Sequence, residues 1–176
     1  MAGRRSLMKT KTKLKSKLSR TFSNNFPGAY QKFTMQHTQQ NEGLPETNVQ
    51  KPIKACTVAL ISTAGVHLKT DPPFDVDNPA GDPTFRLIPG HTEEAELTVT
   101  HIYYDTKYAK TDPSIVFPLK QLRELANGGE IGAVASANIG LNGGILDTEL
   151  VERDAIPFVV ELFRNENIDV ALLVPG

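Results

Sequence analysis

Four places in this 176-residue sequence carry side chains whose types and settings could do chemistry. His67 follows an apolar, β-prone run at 57–63 and the turn Ala64-Gly65. Open α/β sheets bind ligands beyond the carboxyl ends of their strands, so an imidazole there could bind a carboxylate or move a proton; the alternative is a structural hydrogen-bonder. Arg86 lies inside the apolar stretch Phe85-Arg86-Leu87-Ile88, where a guanidinium is costly unless paired. It either clamps a substrate carboxylate or bridges to Asp75, Asp77 or Asp82. His101, followed by Tyr104 and Asp105 at the end of another strand candidate, has the same two readings. His67, Arg86 and His101 are the candidate catalytic residues, expected to converge near the loop after Val174. Asp105 and Asn138 are candidate substrate contacts.

The fourth place is Gly140-Leu141-Asn142-Gly143-Gly144, between a strand and a helix, the setting of an anion-binding turn. It lacks both the G-x-G-x-x-G spacing and the P-loop Lys-Ser/Thr, so a tight turn needing positive φ comes first and a nucleotide site second. The single cysteine, Cys56, excludes an internal disulfide framework and any Cys-clustered zinc or iron–sulfur site. It opens the first strand, away from the ligand edge, where a small buried residue belongs. No Ser/His/Asp set or metal cluster assembles from the rest.

Elements must hold these residues in place, and the pattern supplies them from about position 53 onward. Residues 57–63, 131–137 and 170–174 are continuous apolar runs, the signature of strands buried on both faces of a parallel sheet. All three are expected to be buried neighbours in one sheet. Residues 85–88 form a short strand candidate, and 97–103 alternate as a half-buried strand does. The stretch 71–83 holds four prolines and four aspartates and must be a loop. Pro118 opens a helix with Leu119, Leu122 and Leu125 toward the core, ended by Gly128-Gly129. A loop over 138–144 and a helix over 149–165, kinked or divided at Pro157, complete the rhythm.

Charge divides the chain as well. Residues 1–41 carry nine basic groups and no acid, whereas residues 42–176 carry ten basic and twenty acidic groups, net −10. The basic segment could touch a membrane surface or nucleic acid, but such runs are usually solvated and disordered, so nucleic acid is not an expected partner. The expected organisation is a basic, largely disordered arm over 1–52 and a single α/β domain over 53–176. Its sheet is parallel or mostly parallel, with Rossmann-like or flavodoxin-like layering. No apolar run approaches 18 residues and no apolar h-region follows the basic start, so a cytoplasmic location is the default expectation.

The most apolar strand is the last element, followed only by Pro175-Gly176. An α/β sheet needs helices on both faces, so the fold is expected to be incomplete there, with an apolar patch beside Gly176.

Several motifs in register resemble the selenoprotein B family of glycine, sarcosine and betaine reductases, which includes the selenoprotein subunit of D-proline reductase. They are Thr63-Ala64-Gly65-Val66-His67-Leu68-Lys69, Asp71-Pro72-Pro73-Phe74-Asp75 and Gly81-Asp82-Pro83-Thr84-Phe85-Arg86-Leu87-Ile88-Pro89. His101-Ile102-Tyr103-Tyr104-Asp105, Asp112-Pro113-Ser114-Ile115-Val116-Phe117-Pro118-Leu119, Leu122-Arg123-Glu124-Leu125 and Gly129-Glu130-Ile131-Gly132 follow in the same order. The resemblance covers about 53–176.

The resemblance implies a reductive cleavage of a carbon–nitrogen bond in glycine, betaine, sarcosine, D-proline or a related amine, with electrons supplied by thiols. It implies no cofactor within this chain and a pyruvoyl group on a partner subunit, with other subunits of a reductase complex as partners. A selenocysteine or cysteine following the final strand is the implied nucleophile, since a selenolate or low-pKa thiolate is ionised at neutral pH. Asp169-Val170-Ala171-Leu172-Leu173-Val174-Pro175-Gly176 is similar to the family up to the residue before it. Gly176 is therefore expected to stand beside the missing selenocysteine, at a UGA codon taken as a stop. Two other readings remain: a non-catalytic α/β binding module of the same family, and a nucleotide-binding domain using residues 138–144.

Overall fold

The computed structural model describes residues 47–78, 80–145 and 148–176, with 14, 17, 18, 21, 22 and 25–37 of the N-terminal segment. Helix α1, Pro27–His37, belongs to that segment; it opens on a proline, as helices tolerate, and is only weakly amphipathic. Of the nine basic groups in 1–41, only Lys17 and Lys32 are among the described residues; most of the arm expected to be disordered over 1–52 lies outside them, and where it is described it includes the helix Pro27–His37. Val49–Gly176 form a compact unit of their own.

That unit is built around strand β1, Thr57–Ser62, whose Val58, Ala59, Leu60 and Ser62 are buried. A continuous apolar run suits a strand with neighbours on both edges and cover on both faces. Strand β7, Val170–Val174, pairs in parallel along all of one edge, from Val58–Val170 to Ser62–Val174. The other edge is shared by two short strands: β5, Ala133–Val134, then β6, Ala137–Leu141, both parallel to β1. Strand β3, Phe85–Pro89, closes the far side antiparallel to β6, making the sheet mixed and mostly parallel.

The handover from β5 to β6 breaks the ladder. Between the pairs Val58–Val134 and Ile61–Ile139, β1 advances three residues and its neighbour five. The Leu60 N–H would be stranded there, and a buried donor without a partner costs about 1–3 kcal/mol. Asn138 fills the gap: its Oδ1 accepts from Leu60 N at 2.8 Å, while its Nδ2 donates to the carbonyls of Ala135 (3.2 Å) and Ile88 (3.4 Å).

A second, two-stranded sheet pairs β2, Val66–Leu68, with β4, Leu97–Val99, in antiparallel register. Helix α2, Lys107–Thr111, and helix α3, Leu119–Asn127, follow. Val58, Leu60, Val66, Ile88, Val99, Phe117, Leu119 and Leu122 join one core beneath these elements. A helical turn, Thr148–Leu150, and a π-helical turn, Val151–Ala155, lead into α4, Ile156–Asn165. Pro157 stands in the first turn of α4, where its missing N–H has no cost, and the π turn absorbs the change of register before it.

Several expectations need correction. Residues 138–141 are strand β6 rather than loop, because Asn138 serves the ladder instead of breaking it. The run 131–137 yields only the two-residue β5, and 97–103 only the three-residue β4. Val66–Leu68, expected as loop, is a strand because β4 offers it an edge. Leu125 does not face the core: it is 44% exposed, being three residues beyond Leu122 on the rim of the apolar stripe. Strand β7 is a neighbour of β1 as expected but is not buried, with Leu172 40% and Leu173 68% exposed.

Candidate functional site

The carboxyl ends of β1, β6 and β7 meet at Thr63 and Ala64. Thr63 N donates to the Val174 carbonyl (3.1 Å), its own carbonyl accepts from Gly143 N (2.7 Å), and its Oγ1 accepts from Gly176 N (3.1 Å). Gly176 lies so close to Ala64 that any side chain there would collide with the Ala64 backbone. Ala64 bridges to Asn142, and the chain then reverses at Gly65, whose φ of 76° favours glycine. A side chain at Gly65 would also strike the Thr100 carbonyl.

This reversal brings His101 to the edge. The residue after Thr100 is anchored because Thr100 N donates to the Gly65 carbonyl at 2.9 Å. The His101 ring lies 4.7 Å from the Tyr104 ring and 5.9 Å from that of Tyr103, the latter edge-on. Tyr104 is fixed in turn by its hydroxyl, which donates to the Ala64 carbonyl at 2.9 Å, and burial pushes that hydroxyl up to about 12. Tyr103 packs against Gly144. Asn142 holds the opposite side, its Nδ2 directed to the Thr100 carbonyl (3.4 Å) and its Oδ1 accepting from Gly144 N (3.2 Å).

The protonation of His101 follows from its partners. Its Nδ1 accepts from the Tyr103 backbone N–H at 3.1 Å, so in the neutral ring the proton must sit on Nε2. Burial pushes its pKa down to about 4, so the ring is neutral at pH 7. Nε2 is buried and has no hydrogen-bond partner, alone in this among the buried side-chain nitrogens and oxygens of the described residues. The result is a buried N–H donor without an acceptor, close to the carboxyl end of β1.

The other sequence candidates are occupied differently. His67 is buried, with Nδ1 against its neighbour's carbonyl at Leu68 (2.7 Å) and Nε2 against Thr100 Oγ1 (2.9 Å). Arg86 donates to the carbonyls of Pro72 (2.9 Å) and Phe85 (3.0 Å) and to Thr84 Oγ1 (2.8 Å); it also lies 4.4 Å over the Phe74 ring and 3.9 Å from Asp82. Burial opposes the charge on Asp82, but hydrogen bonds from the Thr84 hydroxyl and the Asp75 and Thr84 N–H groups, with Arg86 nearby, hold its carboxyl below the ordinary value. The three candidates are linked by contact, since Thr100 precedes His101 and touches His67, and His67 meets Phe74 edge-on at 5.9 Å. His67 and Arg86 nonetheless spend their polar groups inside the fold. Asn138 is fully buried in the ladder, and exposed Asp105 accepts from Lys107 N (3.0 Å) at the start of α2.

Sequence reasoning passed over Thr63, Tyr103 and Asn142 at this edge. The Asn-Gly-Gly run was the available signal for Asn142, but its N–H groups are turned inward: Gly143 N to Thr63 and Gly144 N to Asn142. That loop offers no cradle of free N–H groups for a nucleotide phosphate. Cys56 is buried at the amino end of β1 with Sγ 3.4 Å from the Pro52 carbonyl, far along the strand from His101's edge.

Fold and edge together define an α/β domain that presents one neutral histidine where its parallel strands end. The chain belongs to the glycine/sarcosine/betaine reductase selenoprotein B (GRDB) family, whose model matches residues 30–173. It is 38% identical over 130 residues, 74% of its length, to D-proline reductase subunit gamma of Acetoanaerobium sticklandii. The chain spans about half, 52%, of that relative's length. No solved structure matches it. Among the described residues no helix is long and apolar enough to cross a membrane, and no group of three His, Cys, Asp or Glu could hold a metal ion.

Proposed function

We propose that this chain works as part of a reductase complex that cleaves a carbon–nitrogen bond reductively in D-proline, glycine, sarcosine, betaine or a related amine, in the cytoplasm. Membership of the family and the likeness to a D-proline reductase subunit support the class of reaction. Thiols supply the electrons, and a pyruvoyl group on a partner subunit activates the substrate. The nucleophile is a selenolate or thiolate outside these 176 residues, because the one thiol here, Cys56, is buried and turned to a backbone carbonyl.

Within the chain, the carboxyl edge of the sheet is the substrate-facing surface and His101 Nε2–H its donor. The buried, unpartnered N–H carries this reading. A hydrogen bond to a charged acceptor contributes about 1.5–3 kcal/mol, so the carboxylate of an amino-acid substrate is the natural acceptor. Tyr104 and Asn142 act as positioning residues, fixing the segment from Ala64 to Thr100 around the imidazole.

Kinetics of the reconstituted complex test this. His101→Leu is expected to lower kcat/KM about ten- to a hundredfold, the range of one charged hydrogen bond. His101→Gln, which keeps an amide donor, should recover part of the loss. In the isolated His101→Leu chain an orphaned donor is removed but the acceptor of the Tyr103 N–H is lost as well, so the two effects oppose and unfolding should come at a urea concentration close to the parent's. A lower kcat/KM accompanied by a less stable chain would assign His101 to the fold instead.

A second reading, a binding module without its own redox residue, is favoured by the burial of Cys56. It keeps the same edge and the same donor. The two part on whether the chain, once assembled with its partners, supports turnover or only substrate retention.

A further inference from the structure

We propose that a cavity of about 430 Å³ between the β2–β4 sheet, the end of α2 and the start of α3 is a binding site for a small polyanion with the charge and size of a phosphate ester. It shares no residue with the His101 edge, so it stands independently of the reading above.

The lining gathers cations against the trend of its surroundings. Residues 42–176 carry ten basic and twenty acidic side chains, yet three of those ten, Lys69, Lys110 and Lys120, border this one cavity. They arrive from three separate segments: Lys69 follows β2, Lys110 is in the last turn of α2, and Lys120 is in the first turn of α3. The two acidic residues on the lining, Glu94 and Asp112, leave it net positive. Among the described ion pairs, none engages any of the three lysines. Asp112 is instead turned to its own chain, where Oδ1 accepts from Ser114 N (3.0 Å) and Ser114 Oγ (2.5 Å).

Lys69 is held in place without being neutralised. Its Nζ donates to the Ala95 carbonyl at 2.6 Å, leaving two of its three N–H donors available. Three lysines against two carboxylates leave the lining one positive charge in excess, which favours an anion there. The volume falls in the range of about 300–1,000 Å³ usual for small-molecule sites. A compact dianion gains from each lysine it reaches more than a single carboxylate does, so the lining favours phosphate chemistry. Gln121, beside Lys120, adds a neutral amide for orientation.

Titration of the full chain with inorganic pyrophosphate, followed by amide shifts in NMR, tests the site. The expected result is saturable, one-to-one binding centred on residues 69, 95, 110–114 and 120–121, weaker at higher ionic strength. Lys110→Gln and Lys120→Gln should each weaken it about threefold to fivefold, the scale of one partly exposed charge contact. Lys54→Gln, on a lysine that does not line the cavity, should leave it unchanged. Shifts that never saturate, or an equal loss with Lys54→Gln, would overturn the site by reducing it to general surface charge. An oligoglutamate peptide that binds there more tightly than pyrophosphate would overturn the small-ligand assignment in favour of a partner's acidic segment.

Discussion

His101 shows how a histidine in none of the described ion pairs can still be informative. The accepting Nδ1 and the burial of the ring together fix a neutral imidazole with its proton on Nε2. The same burial makes a prediction about stability. In the unfolded chain the imidazole titrates near 6.5, and in the folded chain near 4. Between those values the unfolded state binds a proton that the folded state refuses, so stability is full above about 6.5 and declines as pH falls toward 4. The loss is on the order of 3 kcal/mol at most, from the 1.36 kcal/mol that each pKa unit represents. The carboxylates of Asp82 and Asp169, held below 3.8, act only in more acid solution. Urea unfolding at neutral pH and near pH 4.5 should show the decline in the parent and a smaller one in His101→Gln. Equal declines in both proteins would mean that His101 is already charged or already partnered in the folded state.

At the scale of elements, the ladder break between β5 and β6 is where local sequence and tertiary demand part company. Asn138→Ala should destabilise the unit by about 1–3 kcal/mol, because it strands Leu60 N–H inside the core. Asn138→Asp keeps the acceptor oxygen but loses both donations to Ala135 and Ile88 and buries a charge, so it should be worse still. The midpoint of urea unfolding reads both; an alanine variant as stable as the parent would mean that water or a backbone shift satisfies Leu60.

Strands β1 and β7 were legible in the sequence because each is a short, nearly unbroken apolar run rich in β-branched residues and leucine, as the strands of a parallel sheet are. Strand β6 was not, because Asn138 and Gly140 carry the composition of a loop, and the backbone gap that gives Asn138 its purpose exists only once β1, β5 and β6 are side by side. The site divides the same way. His101 could be placed from its position after an alternating stretch, whereas Thr63 and the Tyr104 hydroxyl act through carbonyls and amides distant in sequence, which no residue pattern announces. For Arg86 the sequence left a substrate clamp and an internal bridge open; its bonds to Pro72, Thr84 and Phe85 describe the internal role.

At the scale of the whole molecule, two surfaces stand out in the unit over Val49–Gly176. One is the carboxyl edge of the sheet, where Thr63, Gly176 and the His101–Tyr104 pair meet. The other is the outer side of β7, whose exposed Leu172 and Leu173 have the composition of an interior strand. An exposed apolar strand without a guarding charge invites another strand or subunit. The most direct test of the central claim is a ¹⁵N spectrum of labelled histidine in this chain, within the reconstituted complex, before and after D-proline. The expected result is a neutral His101 protonated at Nε2 at pH 7, with that proton moving downfield as the substrate carboxylate accepts it. A His101 protonated at Nδ1, or an Nε2 signal that ignores saturating substrate, would contradict it.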